Sequence, residues 1–498
     1  MDTKFIAPIA LLVTGVAIFI VCNIIGFTGL LLLPPILLAV LLIGQPKRLL
    51  LALWIMTLFV PSLELIFEPF FIKLIEQGVG GVLLVVLLGD FILTRNITKG
   101  LKVVTGMVTV LLFVAGASAI VNKVPPLALL IYFLTYIKHI WIFYFAARFL
   151  TPADAKHVFG VGVVSFVIQI MANVLAYIGL NPLPLMLYRS FADFSVGTLG
   201  SSHRVGYFMA AFCMLLIAFG RHVKGLHKRA LCLVTAAVAL VQFYFCYPIH
   251  AYPLLAGTVG LQFIAVSTPQ FGRRLRGVLA VVLLVTLTIV LVNQGVSVDL
   301  PGDLETDRGM QRNLDNMQHG LKIDAYREVF LNAGEHVNFP ILGGGPGNYS
   351  STTAFILQRP LSQLPHLFYL YTAANLREVQ AGSIISLTRT GYIALYGELG
   401  PVGLLVYWGI YVYAALRIWN QWRRELYRDV YSRSLAETFV PSVAFFLVLN
   451  ILVDGIPMYP VNIGLWIWAG VLWNPLPVED HERSSLASRE GNPGRTLA

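Results

Sequence analysis

The sequence has few charged residues for its length. Asp, Glu, Lys and Arg make up 12% of 498 residues, hydrophobic residues make up 57%, and the mean hydropathy is +0.77. Soluble domains carry about 25% charged residues. The buried fraction of a folded chain rises only slowly with size, so a soluble core of this length cannot hide so much apolar surface. The composition therefore excludes a soluble globular protein. It indicates a polytopic membrane protein, whose apolar surface is covered by the hydrocarbon of the bilayer.

Cysteine is also scarce. The four cysteines lie in apolar segments, without the spacing of a metal site. We interpret them as inert core residues and not as a disulfide framework. They are Cys22, Cys213, Cys232 and Cys246.

The sequence has no single basic patch, although its net charge is +10. The positive charge is distributed in short clusters between apolar runs, as is typical of residues that orient a membrane protein. We therefore do not expect nucleic acid as a partner. The positive-inside rule predicts that the clusters and both termini are cytoplasmic. The clusters are 47–48, 95–102, 221–229, 273–276 and 417–433.

Apolar runs long enough to cross a bilayer occur about fourteen times. The predicted fold is thus an all-α polytopic membrane protein with about 14 transmembrane helices and one large extracytoplasmic loop containing amphipathic helices. We divide the chain into a bundle of about 11 spans (1–295), the large loop (296–391), about 3 further spans (392–477) and a disordered cytoplasmic tail (478–498). The predicted spans are 5–22, 25–44, 49–68, 79–94, 102–121, 126–149, 157–180, 205–220, 230–248, 251–268, 278–295, 392–417, 437–455 and 459–474.

The stretch 296–391 is the longest connection on the predicted outward side. Long loops are uncommon in compact proteins and are usually functional. Residues 319–334 have apolar positions near helical spacing, which predicts an amphipathic helix, and the glycine run at 343–347 predicts a sharp turn after it. Residues 361–374 again look helical and apolar enough to lie on a membrane surface. A smaller outward loop covers 181–204.

Several arginines fall on the predicted outward side, against the positive-inside bias. Guanidinium binds phosphate bidentately and keeps its charge, so these arginines indicate an anionic, phosphate-bearing ligand. The alternative for each of them is a pair with a lipid headgroup or with an acidic residue of the same loop. The candidates are Arg189, Arg204, Arg308, Arg327 and Arg389.

His366 is the best simple proton acceptor in the large loop, because imidazole titrates near neutral pH. A lone histidine in an apolar stretch is, however, more often a packed residue than a base.

Four further polar residues lie inside predicted spans or near their ends: Asp90, Lys138, His139 and Asp454. Such groups serve either as a proton relay in a transporter or as satisfied partners between helices.

Three segments of the chain form a pattern when taken in order. The first is YRSFADFSVGTLGSSHRVGYFMA at 188–210, with an arginine, then Gly-Thr, before a helix. The second is YREVFLNAGEHVNFPILGGGPGNYSS at 326–351, with an arginine-centred helix and a Gly-x-Gly-Pro-Gly-Asn turn. The third is RTGYIALYGELGPVGLLVYW at 389–408, with a polar pair and then Gly-x-x-Gly. In this order the segments resemble the O-antigen polymerase/ligase superfamily, over about residues 180–420.

The resemblance implies a metal-independent, inverting glycosyltransferase of the bacterial inner membrane, without a cofactor. Its donor is an oligosaccharide on undecaprenyl pyrophosphate at the outer face. An acceptor hydroxyl attacks the anomeric carbon, and arginines neutralise the leaving pyrophosphate. Arg189 and Arg327 match the family arginines, and we expect them, with His366, to be catalytic. The residues that match the structural part of the motifs are Gly343, Gly345, Gly347, Asn348, Glu398, Gly400 and Gly403.

One departure from the family separates two activities. Ligases carry a histidine at the start of the third segment, where this chain has Arg389-Thr390. This favours a polymerase of repeat units for exopolysaccharide, capsule or O-antigen, with membrane lipid, a flippase and a chain-length regulator as further partners. It leaves open whether His366 is the base or no side-chain base is needed. A ligase that transfers glycan to another acceptor is the alternative, and a transporter or lipid flippase, which should show internal repeats, is the alternative of another class.

Overall fold

The computed structural model of the chain describes most of the predicted helical segments. All secondary structure in this part of the chain is helical, which confirms the all-α prediction for these residues. The described residues are 45–66, 69–94, 101–177, 197–199, 202–246, 251–265, 341–348, 390–452 and 459–474, with Tyr326, Phe330, Ser351, Thr353, Gly455 and Ile456.

Twelve α-helices are present in the described residues, and α4 continues into α5 through a π-helical turn at Phe133–Ile137. They are α1 (Pro46–Ile66), α2 (Pro69–Thr94), α3 (Leu101–Val121), α4 (Pro126–Tyr132), α5 (Lys138–Phe149), α6 (Ala155–Tyr177), α7 (Ser202–His222), α8 (Leu226–Phe245), α9 (Ala251–Ala265), α10 (Gly391–Arg423), α11 (Val430–Leu452) and α12 (Tyr459–Leu472).

Helices occupy eleven of the fourteen predicted spans, with α4 and α5 together filling one of them. The largest difference is α2, which begins at Pro69 and not near residue 79. Lys73 and Glu76 lie in the first two turns of α2 and interrupt its apolar run. The hydropathy of the sequence therefore predicted a start for this helix that is too late. The predicted spans 5–22, 25–44 and 278–295 lie outside the described residues, as do the tail 478–498 and most of the loop 296–391. The total span count and the domain limits therefore stay predictions.

Seven of the described helical segments are long and apolar enough to cross a membrane. Their outer faces carry large apolar side chains, among them Phe113 at 76% and Leu405 at 72% exposure. A soluble protein rarely exposes apolar patches of this kind. The helices therefore indicate a membrane protein.

Helix α11 lies at the centre of the bundle. It packs against α6, α7, α9, α10 and α12, while α10 also packs against α3. Buried aromatic rings fill the space between them, and the Tyr407 hydroxyl lies 2.7 Å from the Nε2 atom of His139. We call the end of the bundle where α3 and α11 end and α10 and α12 begin the docking end, and the opposite end the ion-pair end.

Candidate functional site

Helix α10 is interrupted near its start, at Gly400 and Pro401. Gly400 has φ 68° and ψ −174°, a conformation that favours glycine over residues with a Cβ atom. Pro401 has no backbone N–H, so the carbonyl of Gly397, four residues earlier, lacks its helical donor. The interruption therefore leaves backbone acceptors available inside the docking end.

The glycine-rich turn at 341–348 docks on these acceptors. The Gly344 N–H donates to the Gly397 carbonyl oxygen at 2.7 Å, and the Gly345 N–H donates to the Glu398 carbonyl oxygen at 3.1 Å. A Cβ atom at Gly343, which has φ 71°, would lie 2.6 Å from the Glu398 carbonyl carbon. The approach is thus backbone to backbone, and only glycine fits at the contact.

The Glu398 side chain fixes the chain that follows the turn. It is fully buried, and its two carboxylate oxygens accept from the N–H groups of Gly347 at 2.7 Å and Ser351 at 3.1 Å. A carboxylate that accepts two backbone N–H bonds is a strong anchor. Glu398 therefore positions the residues that follow the glycine turn.

Helix α3 supplies two further contacts to the turn. The Asn122 Nδ2 atom donates to the Gly343 carbonyl at 3.0 Å, and the Ser118 hydroxyl donates to the Glu398 carbonyl at 3.1 Å. Sequence analysis did not single out either residue. The sequence gives little indication of this role, because both are ordinary polar residues at the end of an apolar span.

Asn348 and the remaining glycines of the motifs make contacts within the glycine turn or within α10. Asn348 donates from Nδ2 to the Gly344 carbonyl at 3.2 Å, which holds the turn shut. Gly345 and Gly347 have positive φ values of 97° and 72°. Gly403 lies against the Leu399 side chain, which occupies the place that a Cβ atom would need.

A second contact joins the large loop to the start of α10. The Tyr326 hydroxyl donates to the Ile451 carbonyl at 2.6 Å and lies 2.8 Å from the hydroxyl oxygen of Thr390, the N-cap of α10. The ring of Phe330 lies 4.2 Å, centroid to centroid, from that of Tyr396. Burial raises the pKa of Tyr326, so this phenol stays a neutral donor. The loop is therefore tied to α10 and to the end of α11 together.

The Gly-Thr pair of the first segment is also built into the bundle. The Gly197 N–H donates to Asn173 Oδ1 at 2.7 Å, and the Thr198 N–H donates to Gln169 Oε1 at 2.9 Å. The Thr198 hydroxyl donates to the Leu58 carbonyl at 2.7 Å. Gln169 and Asn173, which sequence analysis missed, thus hold this segment from α6.

Only one predicted ligand-binding arginine falls in the described part of the chain. Arg204, in the first turn of α7, is partly buried, and its guanidinium donates to the Leu199 carbonyl at 3.4 Å. The remaining predicted catalytic and phosphate-binding residues lie outside the described residues: Arg189, Arg308, Arg327, His366 and Arg389.

Two of the four polar groups considered for a proton relay make contacts between helices. Asp90 accepts from Arg148 Nε at 2.7 Å, and His139 is bonded to Tyr407. Lys138 is 1% exposed, and Asp454 lies outside the described residues. Among the residues that the structure describes, no group of three or more His, Cys, Asp or Glu side chains could hold a metal ion.

No protein-family model and no curated protein matches this chain.

Proposed function

We propose that the protein polymerises oligosaccharide repeat units carried on undecaprenyl pyrophosphate, by inverting glycosyl transfer without a metal. The repeat units belong to exopolysaccharide, capsule or O-antigen, and the reaction takes place at the outer face of the bacterial inner membrane. One observation carries this proposal: the second and third segments of the family pattern, which are distant in sequence, are in contact at the docking end.

Two contacts join these segments, and the second of them involves residues next to predicted arginines. The glycine turn is fixed on α10 by backbone hydrogen bonds, and Tyr326 is bonded to Thr390. In sequence, Arg327 follows Tyr326 and Arg389 precedes Thr390. Each of these two arginines is thus one residue along the chain from a residue of the tyrosine–threonine contact, and this adjacency in sequence supports the proposal that they act on one anion. A pyrophosphate, with its several charged oxygens, suits two guanidinium groups.

The proposed reaction is a glycosyl transfer from the lipid-linked donor to an acceptor sugar. An oxygen of the acceptor sugar attacks the anomeric carbon of the donor as the bond from that carbon to pyrophosphate breaks. The pyrophosphate leaves with the bonding electron pair, and Arg327, Arg189 and Arg389 neutralise its growing charge. The acceptor proton goes to His366 or to water.

A ligase would use the same site with a different acceptor, and a transporter or flippase would use the bundle without forming a bond. The transporter alternative draws on the buried Lys138 and His139. Each alternative predicts a different accumulated species when the protein is lost. Loss of a polymerase leaves single repeat units on the lipid, and loss of a ligase leaves long lipid-linked polymer. Loss of a flippase leaves lipid-linked units on the cytoplasmic leaflet.

The test is chain length in cells that carry Arg327→Ala or Arg189→Ala. We expect loss of long polymer and accumulation of single lipid-linked units at normal protein level. Arg229→Ala is the control, since Arg229 belongs to a cytoplasmic cluster and donates to the Val223 carbonyl. A wild-type chain-length distribution in both test variants contradicts the proposal.

A further inference from the structure

The turn between α7 and α8, at the ion-pair end, carries charge of one sign. The side chains of Lys224, Lys228 and Arg229 are all exposed. The Arg229 Nε atom donates to the Val223 carbonyl at 3.0 Å, which holds this guanidinium beside the turn. Residues 204–250 contain no Asp or Glu, so no acidic residue close in sequence neutralises the three cations. The turn is therefore a positively charged surface.

Helix α11, which packs against α7, brings two acidic residues to this end, and both are engaged within the bundle. Glu437 is 2% exposed and contacts Arg221 and His222 at the end of α7. Asp429 accepts from the Ser432 N–H at 2.9 Å and so caps the start of α11. These two carboxylates are used by the folded chain itself, and the charge of the α7–α8 turn is directed outward.

Large apolar side chains continue from the basic turn along the outer face of α8. Leu226 is 80% exposed, Leu231 is 67% exposed and Leu233 is 59% exposed. Residues three or four apart lie on the same face of an α-helix, so Lys228 is one turn before Leu231. In the same way, Arg229 is one turn before Leu233. The face therefore changes from positive charge to hydrocarbon within one turn of α8.

This order of charge and hydrocarbon selects the kind of partner. In the described part of the chain α8 packs chiefly against α7, so its outer face has no helix over it. A soluble anion or a nucleic acid matches the charge but not the apolar strip. A phospholipid with a net negative headgroup matches both, because its phosphate lies at the membrane surface and its acyl chains run into the bilayer beside the helix.

We propose that the α7–α8 turn and the first turns of α8 bind an anionic phospholipid of the leaflet at the ion-pair end. Lys224, Lys228 and Arg229 bind the headgroup phosphate, and Leu231 and Leu233 contact an acyl chain. The lipid covers the outer face of α8 and stabilises the packing of α8 on α7. This inference does not depend on the proposed function.

Native mass spectrometry of the full-length protein in detergent tests this proposal. The probes are phosphatidylglycerol, which is anionic, and phosphatidylethanolamine, which is zwitterionic, with identical acyl chains. We expect phosphatidylglycerol to bind and to raise the thermal unfolding temperature. Phosphatidylethanolamine should bind about tenfold more weakly and leave that temperature unchanged. Binding of phosphatidylglycerol should weaken as the salt concentration rises.

Matched variants locate the bound lipid. Lys228→Gln should weaken binding of phosphatidylglycerol about fivefold, and Lys224→Gln combined with it about 30-fold, since each basic side chain near an anionic surface contributes about a factor of five. Lys123→Gln, an exposed lysine at the docking end, should leave binding unchanged. Leu231→Asn should also weaken binding, whereas Leu405→Asn, on the exposed face of α10, should not. Size-exclusion chromatography confirms that each variant is folded.

Three results overturn the proposal: equal binding of the two lipids, binding of phosphatidylglycerol that survives the double lysine variant, and equal weakening in Lys123→Gln. A soluble anionic partner has its own signature. Inorganic phosphate or an oligonucleotide would then displace phosphatidylglycerol from the protein and bind Leu231→Asn as tightly as the wild type. That result would assign the turn to a soluble anion and overturn the assignment to a phospholipid.

Discussion

The two ends of the bundle are held together by different kinds of contact. At the docking end, backbone N–H groups of the glycine turn meet backbone carbonyls of α10, and glycines allow the approach. At the ion-pair end, charged side chains join the helices: Glu437 contacts Arg221 and His222, and Lys47 contacts Asp154. Backbone-to-backbone contacts fix the distance between two segments and leave no room for a side chain at the contact. Long charged side chains can instead change conformation and keep an ion pair when the helices shift. The docking end, where we propose the glycosyl transfer, is therefore the end with the stricter geometry.

The largest effect is expected from Gly400→Ala. A Cβ atom there would overlap the Ile341 carbonyl oxygen, and the backbone conformation of Gly400, which is essentially restricted to glycine, costs about 1–3 kcal/mol in another residue. We expect a clear fall in the thermal unfolding temperature and loss of polymer. Gly409→Ala is the control in the same helix, since a Cβ atom there meets nothing within 4 Å. If the two variants unfold at the same temperature, the interpretation that the docking end requires glycine at position 400 is wrong.

Glu398→Gln should have the next largest effect. Gln can accept one of the two backbone N–H bonds, but its amide group then faces the other donor. Leaving a buried donor unsatisfied costs about 1–3 kcal/mol. We expect lower thermal stability and faster proteolysis near residues 347–351, with polymer yield reduced in proportion. Glu425→Gln is the exposed control. Lost activity with unchanged stability and proteolysis would instead indicate a direct chemical role for Glu398.

Tyr326→Phe removes one hydroxyl and should cost about 1 kcal/mol of stability. We expect a larger effect on polymer length than on unfolding, because the two residues of the contact are adjacent in sequence to the predicted Arg327 and Arg389. Burial raises the pKa of Tyr326, so the contribution of the contact is complete below the ordinary phenol pKa and is lost only as pH rises beyond it. The wild-type to variant activity ratio should therefore stay constant between about pH 6 and 9. A ratio that changes within this range contradicts the assignment.

The smallest effect is expected at the ion-pair end, from Lys47→Met. The lysine side chain is half exposed, and such pairs contribute about 0–1 kcal/mol, less at high salt. The unfolding temperature should hardly change, and polymer length not at all. A loss of polymer comparable with that in Gly400→Ala would remove the distinction between the two ends.

The helices were predictable because their signal is local. An apolar run of sufficient length predicts a span, and the glycines at 343–347 predict a turn. The docking of the glycine turn on α10 was not predictable in the same way. The residues that hold the turn are brought together only by tertiary packing, and they are Ser118, Asn122 and Glu398. One local clue was present: a proline at 401 deprives the carbonyl at 397 of its helical donor. Sequence analysis noted Glu398 and Gly400 by resemblance and did not draw that consequence.

The Gly400–Pro401 interruption also bears on the order of assembly. Residues 341–348 are synthesised before residues 391–423, so the turn exists before the acceptors on which it docks. The acceptors are carbonyl groups of α10 itself, at Gly397 and Glu398. During biogenesis the turn can therefore dock only after α10 has been synthesised. A nascent chain that stops before α10 cannot close the site, whatever the state of the earlier helices.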